Sequence, residues 1–193
     1  MKSQRRKLSD EPHRVRMIAR AASRMSAMTV GFVLLVCGCG RTPLDVPIEE
    51  EECTVETATL QVPSTVSWFD TGIDVVAGQR LRMITTGSVR YGPKPEQVTD
   101  ADGGHYSGKK FFSAAVLPNS MVCSLTGKIG GTTEIGTGTL LPEGLPSNGA
   151  GFVGAFYDEI VPEGGRLFLG FNDQKNAFGD NIGAFTVTIM FFC

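Results

Sequence analysis

Hydrophobic and polar residues alternate with a period of two along several segments of the second half of the chain. Leu167, Leu169 and Phe171 form one such set, residues 184–192 form another, and residues 81–89 are rich in β-forming side chains. This alternation is typical of strands with one buried face. No segment shows a helical period between strong caps. The pattern therefore predicts an all-β domain, an antiparallel β-sandwich of jelly-roll type.

Turn-forming residues separate these strands. Glycine and proline fall at residues 76–79, 141–144 and 161–165, where they predict turns. Residues 91–119 lack a clear pattern and are predicted to form a long irregular connection. Connections longer than about 12–15 residues inside a compact domain are usually functional or disordered.

The first 38 residues differ in kind from the rest. They contain eight Lys/Arg against two Asp/Glu, and residues 29–36 are almost wholly apolar. That apolar run is shorter than the roughly 20 residues that a membrane-spanning helix needs, so it indicates an export signal. We interpret residues 1–38 as a signal peptide, 39–52 as an acidic tether and 53–193 as the folded domain.

The signal ends in a sequence that resembles a bacterial lipobox, Leu-Val-Cys-Gly-Cys at residues 35–39. Cys39 follows the small Gly38 and fits lipidation better than Cys37, which follows the bulkier Val36. The alternative is an ordinary secretory signal with incidental cysteines. We expect lipidation of Cys39 and attachment to the bacterial cell envelope. Gly40 in the next position suggests the outer membrane, by analogy with lipoprotein sorting.

Removal of the signal changes the charge. The signal holds eight of the 18 Lys/Arg and two of the 20 Asp/Glu, so the remainder has a net charge of −8 rather than −2. Such a surface argues against nucleic acid or anionic lipid as partners, and it is compatible with divalent cations and neutral ligands.

Cys53, Cys123 and Cys193 remain in the folded domain. An odd number in an exported protein leaves one thiol free or intermolecular. First and last strands of a sandwich are often neighbours, which favours a Cys53–Cys193 disulfide, although the other two pairings stay open. A zinc site is less well supported, because the domain has no C-x-x-C and a single histidine.

The segment between the last two predicted strands includes the oxygen-donor side chains of Asp173, Asp180 and Asn181. We interpret this segment as the tip of a hairpin that could hold calcium, which takes 6–8 oxygen ligands. The alternative is a plain polar turn, since Asn, Asp and Gly dominate turns. A second loop, with Asp100, Asp102 and His105, reads equally well as a ligand site or as a solvated turn.

Four stretches in register resemble the bacterial PA-I galactophilic lectin family and its lectin-like relatives. They are WFDTGIDVVAG at 68–78, GSVRYGP at 87–93, LTGKIG at 125–130, and LFLGFND at 167–173 followed by GDNIGAFTVTI at 179–189. Each is weak alone, but together they span almost the whole domain in the family's order. The resemblance implies a calcium ion at one end of the sandwich that binds two sugar hydroxyls directly.

The resemblance also implies roles for individual residues. Side chains of Asp173, Asp180 and Asn181, with the backbone carbonyls of Tyr91 and Ala177, would hold the ion. Sugar-contacting positions would be Asp173, Asp180, His105, which lies fourteen residues after Tyr91, and Gln174, where galactose binders have an apolar residue. Asp180 replaces an asparagine of those members, and a glutamine of the family is Gly108 here.

Three classes of function follow from these observations. The first is a calcium-dependent lectin for a galactose-like glycan, with weak single sites combined by a membrane array or a homo-oligomer. The second is a structural or adhesion domain whose calcium only rigidifies the loop. Catalysis is not expected, because no nucleophile–base pair, elbow motif or metal-ligand triplet is present.

Overall fold

The computed structural model describes residues 56–104, 106, 110–144 and 148–192, all within one compact unit, Glu49–Cys193. The candidate residues His105, Cys39, Cys53 and Cys193 lie outside the described residues. None of the described segments forms a helix that could cross a membrane.

The described chain forms ten strands and one short 3-10 helix. In chain order these are β1 Glu56–Pro63, β2 Phe69–Val75, β3 Arg80–Thr86, β4 Val89–Arg90, β5 Val98–Thr99, β6 Leu125–Ile129, β7 Thr139–Leu140, β8 Phe156–Ile160, β9 Gly165–Phe171, the 3-10 helix Phe178–Asp180, and β10 Ala184–Phe192.

Eight of the strands form two four-stranded antiparallel sheets. Sheet A has the order β1-β10-β3-β8, and sheet B has the order β2-β9-β6-β7. The pairs are nested: β1 with β10, β2 with β9, β3 with β8, and β6 with β7. A long hairpin of strands folded over on itself produces this order, which is that of a jelly roll. The predicted all-β sandwich is therefore confirmed.

Alternating side chains of the two sheets meet in one core. Phe185, Val187 and Ile189 from β10 and Leu81 and Met83 from β3 are at most 1% exposed. Their partners across the sandwich come from β6 and β9. The period-two pattern predicted these inward positions because successive side chains of a strand point to opposite faces.

Strand β9 is buried on both faces, which the alternation of Leu167, Leu169 and Phe171 did not predict. Phe168, on the opposite face, packs in a second cluster with Trp68 and Val116. Gly170 allows this cover, because a Cβ there would lie 1.9 Å from the carbonyl oxygen of Ser67. The long connection thus covers the outer face of sheet B.

One sequence-based interpretation was wrong. The segment between the last two strands is not a hairpin tip, because β9 belongs to sheet B and β10 belongs to sheet A. The 172–183 loop instead crosses from one sheet to the other. In a jelly roll consecutive strands usually lie in different sheets, and the alternation of a single strand carries no information about its partner.

The fold tests part of what was predicted for the cysteines. Glu56 pairs with Phe191, so the first and last strands are neighbours as expected. Cys123 is a free, fully buried thiol. Pairing of Cys53 with Cys193 stays a prediction.

Candidate functional site

The 172–183 loop begins at the end of β9 with two buried polar residues. Asn172 is 0% exposed and Asp173 is 4% exposed, whereas Gln174 and Asp180 are exposed. A turn follows in which the Ala177 amide donates to the Gln174 carbonyl at 3.0 Å. Asn176 takes a left-handed conformation with φ 69°, which asparagine tolerates better than most residues.

Asp173 and Asn181 form the centre of the loop. Asn181 Nδ2 donates to Asp173 Oδ2 at 2.9 Å and to the Ser64 carbonyl oxygen at 2.9 Å. The Gln174 amide donates to Asp173 Oδ1 at 2.7 Å. These contacts place one carboxylate and one amide side by side, eight residues apart in sequence.

The side-chain oxygen Oδ1 of Asn181 differs in its hydrogen bonding from the other side-chain atoms of Asp173 and Asn181. It is buried and has no hydrogen-bond partner, in a side chain whose residue is only 4% exposed. Two acceptors, on Asp173 and Ser64, fix the orientation of the amide, so the oxygen is the atom that is left over. Leaving such an acceptor buried and unpaired costs about 1–3 kcal/mol.

The electrostatics of the loop also favour a cation. Burial raises the pKa of Asp173, hydrogen bonds from Asn181 and the Gln174 amide oppose that shift, and the charge of Asp180 adds to it. A carboxylate whose ionised form is disfavoured by burial and by a neighbouring negative charge gains from a positive charge beside it. Nearby, burial raises the pKa of the Cys123 thiol and Asp173 raises it further, so this thiol stays protonated.

A second segment reaches the loop at its exit. Arg90 and Ile182 exchange backbone hydrogen bonds of 2.8 and 2.9 Å. This pairing brings the next residue, Tyr91, close to the end of the loop. Burial raises the pKa of Tyr91, and its ring lies 6.1 Å from that of Tyr106. The role of the Tyr91 carbonyl as a ligand stays a prediction.

The long connection forms a wall along the loop's entrance. The Val116 amide donates to the Asp173 carbonyl at 2.9 Å, and the Lys175 amide donates to Ala114 at 3.0 Å. Ala115 and Gln174 form an antiparallel bridge. The predicted irregular connection contains one short strand, β5, and its later part is fixed against the site.

Asn172 anchors that wall, and sequence reasoning missed it. Its Oδ1 accepts from the Leu117 amide at 2.8 Å, and its Nδ2 donates to the Leu117, Ser120 and Met121 carbonyls at 3.1, 3.2 and 2.8 Å. The sequence did contain a signal for this role, since Asn172 is a polar residue between an apolar strand and Asp173.

The residues fit a calcium ion better than a transition metal. Among the described residues no three His, Cys, Asp or Glu side chains cluster. Calcium needs no such cluster, because carboxylate, amide and backbone oxygens all serve as its ligands. The loop combines a buried carboxylate, a second carboxylate and an unpaired amide oxygen, and Ala177 lies in its turn.

The chain is similar to several solved structures. No family model matches the chain, and no curated protein matches it. A solved structure described as "EclA N-terminal domain; PllA-like lectin" is similar over 69% of this chain and 94% of its own, with 23% identity and a TM-score of 0.49. At this identity and TM-score the likeness carries no conclusion about function.

Proposed function

We propose that this protein is a calcium-dependent carbohydrate-binding lipoprotein of the cell envelope. The observation that carries the proposal is the buried, unpaired Oδ1 of Asn181 beside the buried carboxylate of Asp173. An oxygen that no protein donor satisfies, next to a carboxylate, is what a hard cation requires.

The ligand set follows from the loop and its neighbour. Side chains of Asp173, Asp180 and Asn181, with the carbonyls of Tyr91 and Ala177, would hold calcium. When bound there, calcium would coordinate two vicinal sugar hydroxyls in place of water. Asp173 and Asp180 supply the negative charge that retains the ion.

Sugar choice would fall to side chains at the rim. Gln174 is exposed beside the buried Asp173, so its amide can donate to or accept from a hydroxyl. His105 is proposed as a second contact and lies outside the described residues. We propose a galactose-like sugar because of the motifs that resemble the galactophilic lectins.

Attachment to the membrane would complete the function. The basic start, the short apolar run and Cys39 suggest a lipid anchor and location at the outer membrane. An anchored array or an oligomer raises the effective concentration of weak sites, so avidity can exceed the affinity of one site by about 10²–10⁴.

A structural or adhesion domain without sugar binding is the second candidate. It is favoured by the fact that both oxygens of Asp173 already accept hydrogen bonds from within the loop. In that case calcium would only stabilise the crossing between the two sheets.

Calorimetry with calcium chloride, and then with galactose and lactose in calcium or in EDTA, separates these functions. We expect Asp173→Ala to lose both calcium binding and the calcium-dependent part of sugar binding. His105→Ala should keep calcium and weaken sugar binding by about 1–3 kcal/mol. Glu163→Ala, which removes a carboxylate from an exposed turn, is the matched control.

Two outcomes would contradict the proposal. If no calcium binds to the wild type, the site itself is wrong. If calcium binds but neither sugar binds more strongly in calcium than in EDTA, the structural function is correct.

A further inference from the structure

A groove lies beside the first residues of β8 and does not include the 172–183 loop. Its volume is 460 Å³, and it is lined by Asp102, Met121, Asn148, Phe152 and Phe156 among others. A second hollow of 250 Å³ shares Phe156 with it and continues along β8. The larger hollow is within the range of about 300–1,000 Å³ that is usual for small-molecule sites.

Phe156 lines both hollows, and the residue is 57% exposed. A single exposed apolar residue is ordinary on a protein surface. Here, however, Phe156 lines the groove together with Asp102 and Asn148, residues that carry a carboxylate and an amide. Apolar surface together with a few placed polar groups is the composition of a binding site.

The carboxylate of Asp102 is held in place by the fold. Its Oδ1 accepts from the Ala155 amide at 2.7 Å, next to Phe156 in sequence. The Asp102 amide in turn donates to Asp100 Oδ1 at 3.1 Å. Within the described part of the chain, Asp102 Oδ2 has no hydrogen-bond or ion-pair partner, so one oriented acceptor is available to a ligand.

The backbone beside this carboxylate is shaped for close approach. Gly154 has φ 65°, and a Cβ there would lie 2.6 Å from Asp102 Oδ1. A residue with a side chain would therefore displace the Asp102 carboxylate or the ring of Phe152, whose Cζ would lie 2.5 Å from the added Cβ.

The lining chemistry selects one class of ligand. No Lys or Arg is among the described residues that line the groove, and Asp102 is negative, so anions are disfavoured. A pyranose ring presents hydroxyl donors at its edge for a carboxylate and an amide. Its C–H face is apolar and matches the negative face of an aromatic ring.

We propose that this groove is a second carbohydrate-binding site, in which Phe156 stacks on a sugar ring and Asp102 and Asn148 accept or donate hydrogen bonds to its hydroxyls. The site needs no metal ion and is separate from the proposed calcium site. The two adjoining hollows, of 460 and 250 Å³, suit an oligosaccharide rather than a monosaccharide.

The test uses the full chain on a printed array of neutral oligosaccharides in EDTA, which removes the calcium-dependent contribution. We expect wild-type binding that Phe156→Ala weakens by about threefold to tenfold, the worth of one aromatic stacking contact. Phe156→Leu should be similarly weak, because it keeps apolar area but loses the ring. Asp102→Asn should also weaken binding, although it retains an acceptor for the Ala155 amide.

Ile160→Ala is the matched control, since Ile160 lies on the same strand, is 54% exposed and does not line the groove. It should bind like the wild type, and so should Asp173→Ala. Thermal melting checks that each variant is folded.

Three results would overturn the proposal. The first is no array binding in EDTA, and the second is binding that Phe156→Ala leaves unchanged. The third is an NMR titration in which tetramethylammonium chloride, and none of the glycans, shifts the amides of Asp102, Ala155 and Phe156, because that would assign the groove to a cation. None of these results bears on calcium-dependent binding at Asp173.

Discussion

The domain contains two loops that are organised by a buried polar side chain, and the two differ in one respect. The 130–138 loop, between β6 and β7, is held by Lys128 of β6, which is 0% exposed. Its Nζ donates to the carbonyls of Thr132, Glu134 and Thr137 at 2.7, 3.0 and 2.8 Å. In the 172–183 loop, Asp173 and Asn181 are almost as buried, but one oxygen has no donor.

Two aromatic rings also contact the ammonium group of Lys128. Its Nζ lies 4.7 Å from the centroid of Trp68 and 5.3 Å from that of Phe168. Every donor of the ammonium group thus has a partner, either a carbonyl, the Thr137 hydroxyl or a ring face. A fully satisfied buried charge fixes a loop, whereas an unsatisfied buried acceptor marks a place that something else must complete.

Removing the ammonium group of Lys128 from the 130–138 loop should have the largest effect on stability. Lys128→Met removes the donor and leaves three carbonyls without their partner, so we expect a loss of about 2–4 kcal/mol in the free energy of unfolding. Urea unfolding measures this loss. Lys175→Met, at an exposed position of the other loop, is the control and should change stability by less than about 0.5 kcal/mol. Equal free energies of unfolding for Lys128→Met and Lys175→Met would contradict this prediction.

Binding of calcium to the 172–183 loop should have the next largest effect on stability. A ligand that binds only the folded state adds about 2.7 kcal/mol of stability at a hundredfold excess over its Kd. We therefore expect calcium to raise the Tm of the wild type and EDTA to lower it again. Asn181→Leu should lose this response. An unchanged Tm would show that the orphan oxygen of Asn181 is not a calcium ligand.

The pH dependence of stability, measured in EDTA, tests whether the burial of Asp173 without calcium is unfavourable. Because the pKa of Asp173 is raised in the folded state, the folded protein holds this proton more tightly than the unfolded chain. Stability from this group is present below the unfolded pKa and is lost as pH rises through the folded pKa. The difference in stability between wild type and Asp173→Asn should therefore grow across that window. A constant difference would mean that the burial of Asp173 has no electrostatic cost.

The smallest effect concerns Cys123, whose pKa is raised by burial and by Asp173. Iodoacetamide should label it only when the region opens, and calcium should slow that labelling by holding the neighbouring loop closed. Peptide mass spectrometry resolves Cys123 from the other cysteines. Labelling of the folded protein at the rate of the urea-unfolded protein would contradict this expectation.

Several features could be predicted from single segments. The inward positions of β10, such as Phe185 and Ile189, follow from a period of two, and the turn at Gly78, with φ 86°, follows from the glycine. Asp173 and Asn181 were identified as neighbours in a site because Asp, Asn and Gly are concentrated in one short segment. These features depend only on local preferences of the chain.

Other features depend on which segments meet. The placement of β9 and β10 in different sheets, the cover of Phe168 by Trp68, and the wall that Asn172 fixes all involve residues far apart in sequence. No local pattern encodes them, because side-chain alternation is the same whichever strand becomes the partner.

The sequence by itself determined the class of fold and the residue types of the candidate calcium loop, since strand periodicity and turn chemistry are local. Only the tertiary structure decided which of those polar atoms are satisfied. It paired Asn181 with Asp173 and Ser64 and left Oδ1 without a donor, and it placed Phe156 next to Asp102. Hydrogen bonding and burial are properties of contacts between distant segments, so they exist only once the chain has folded.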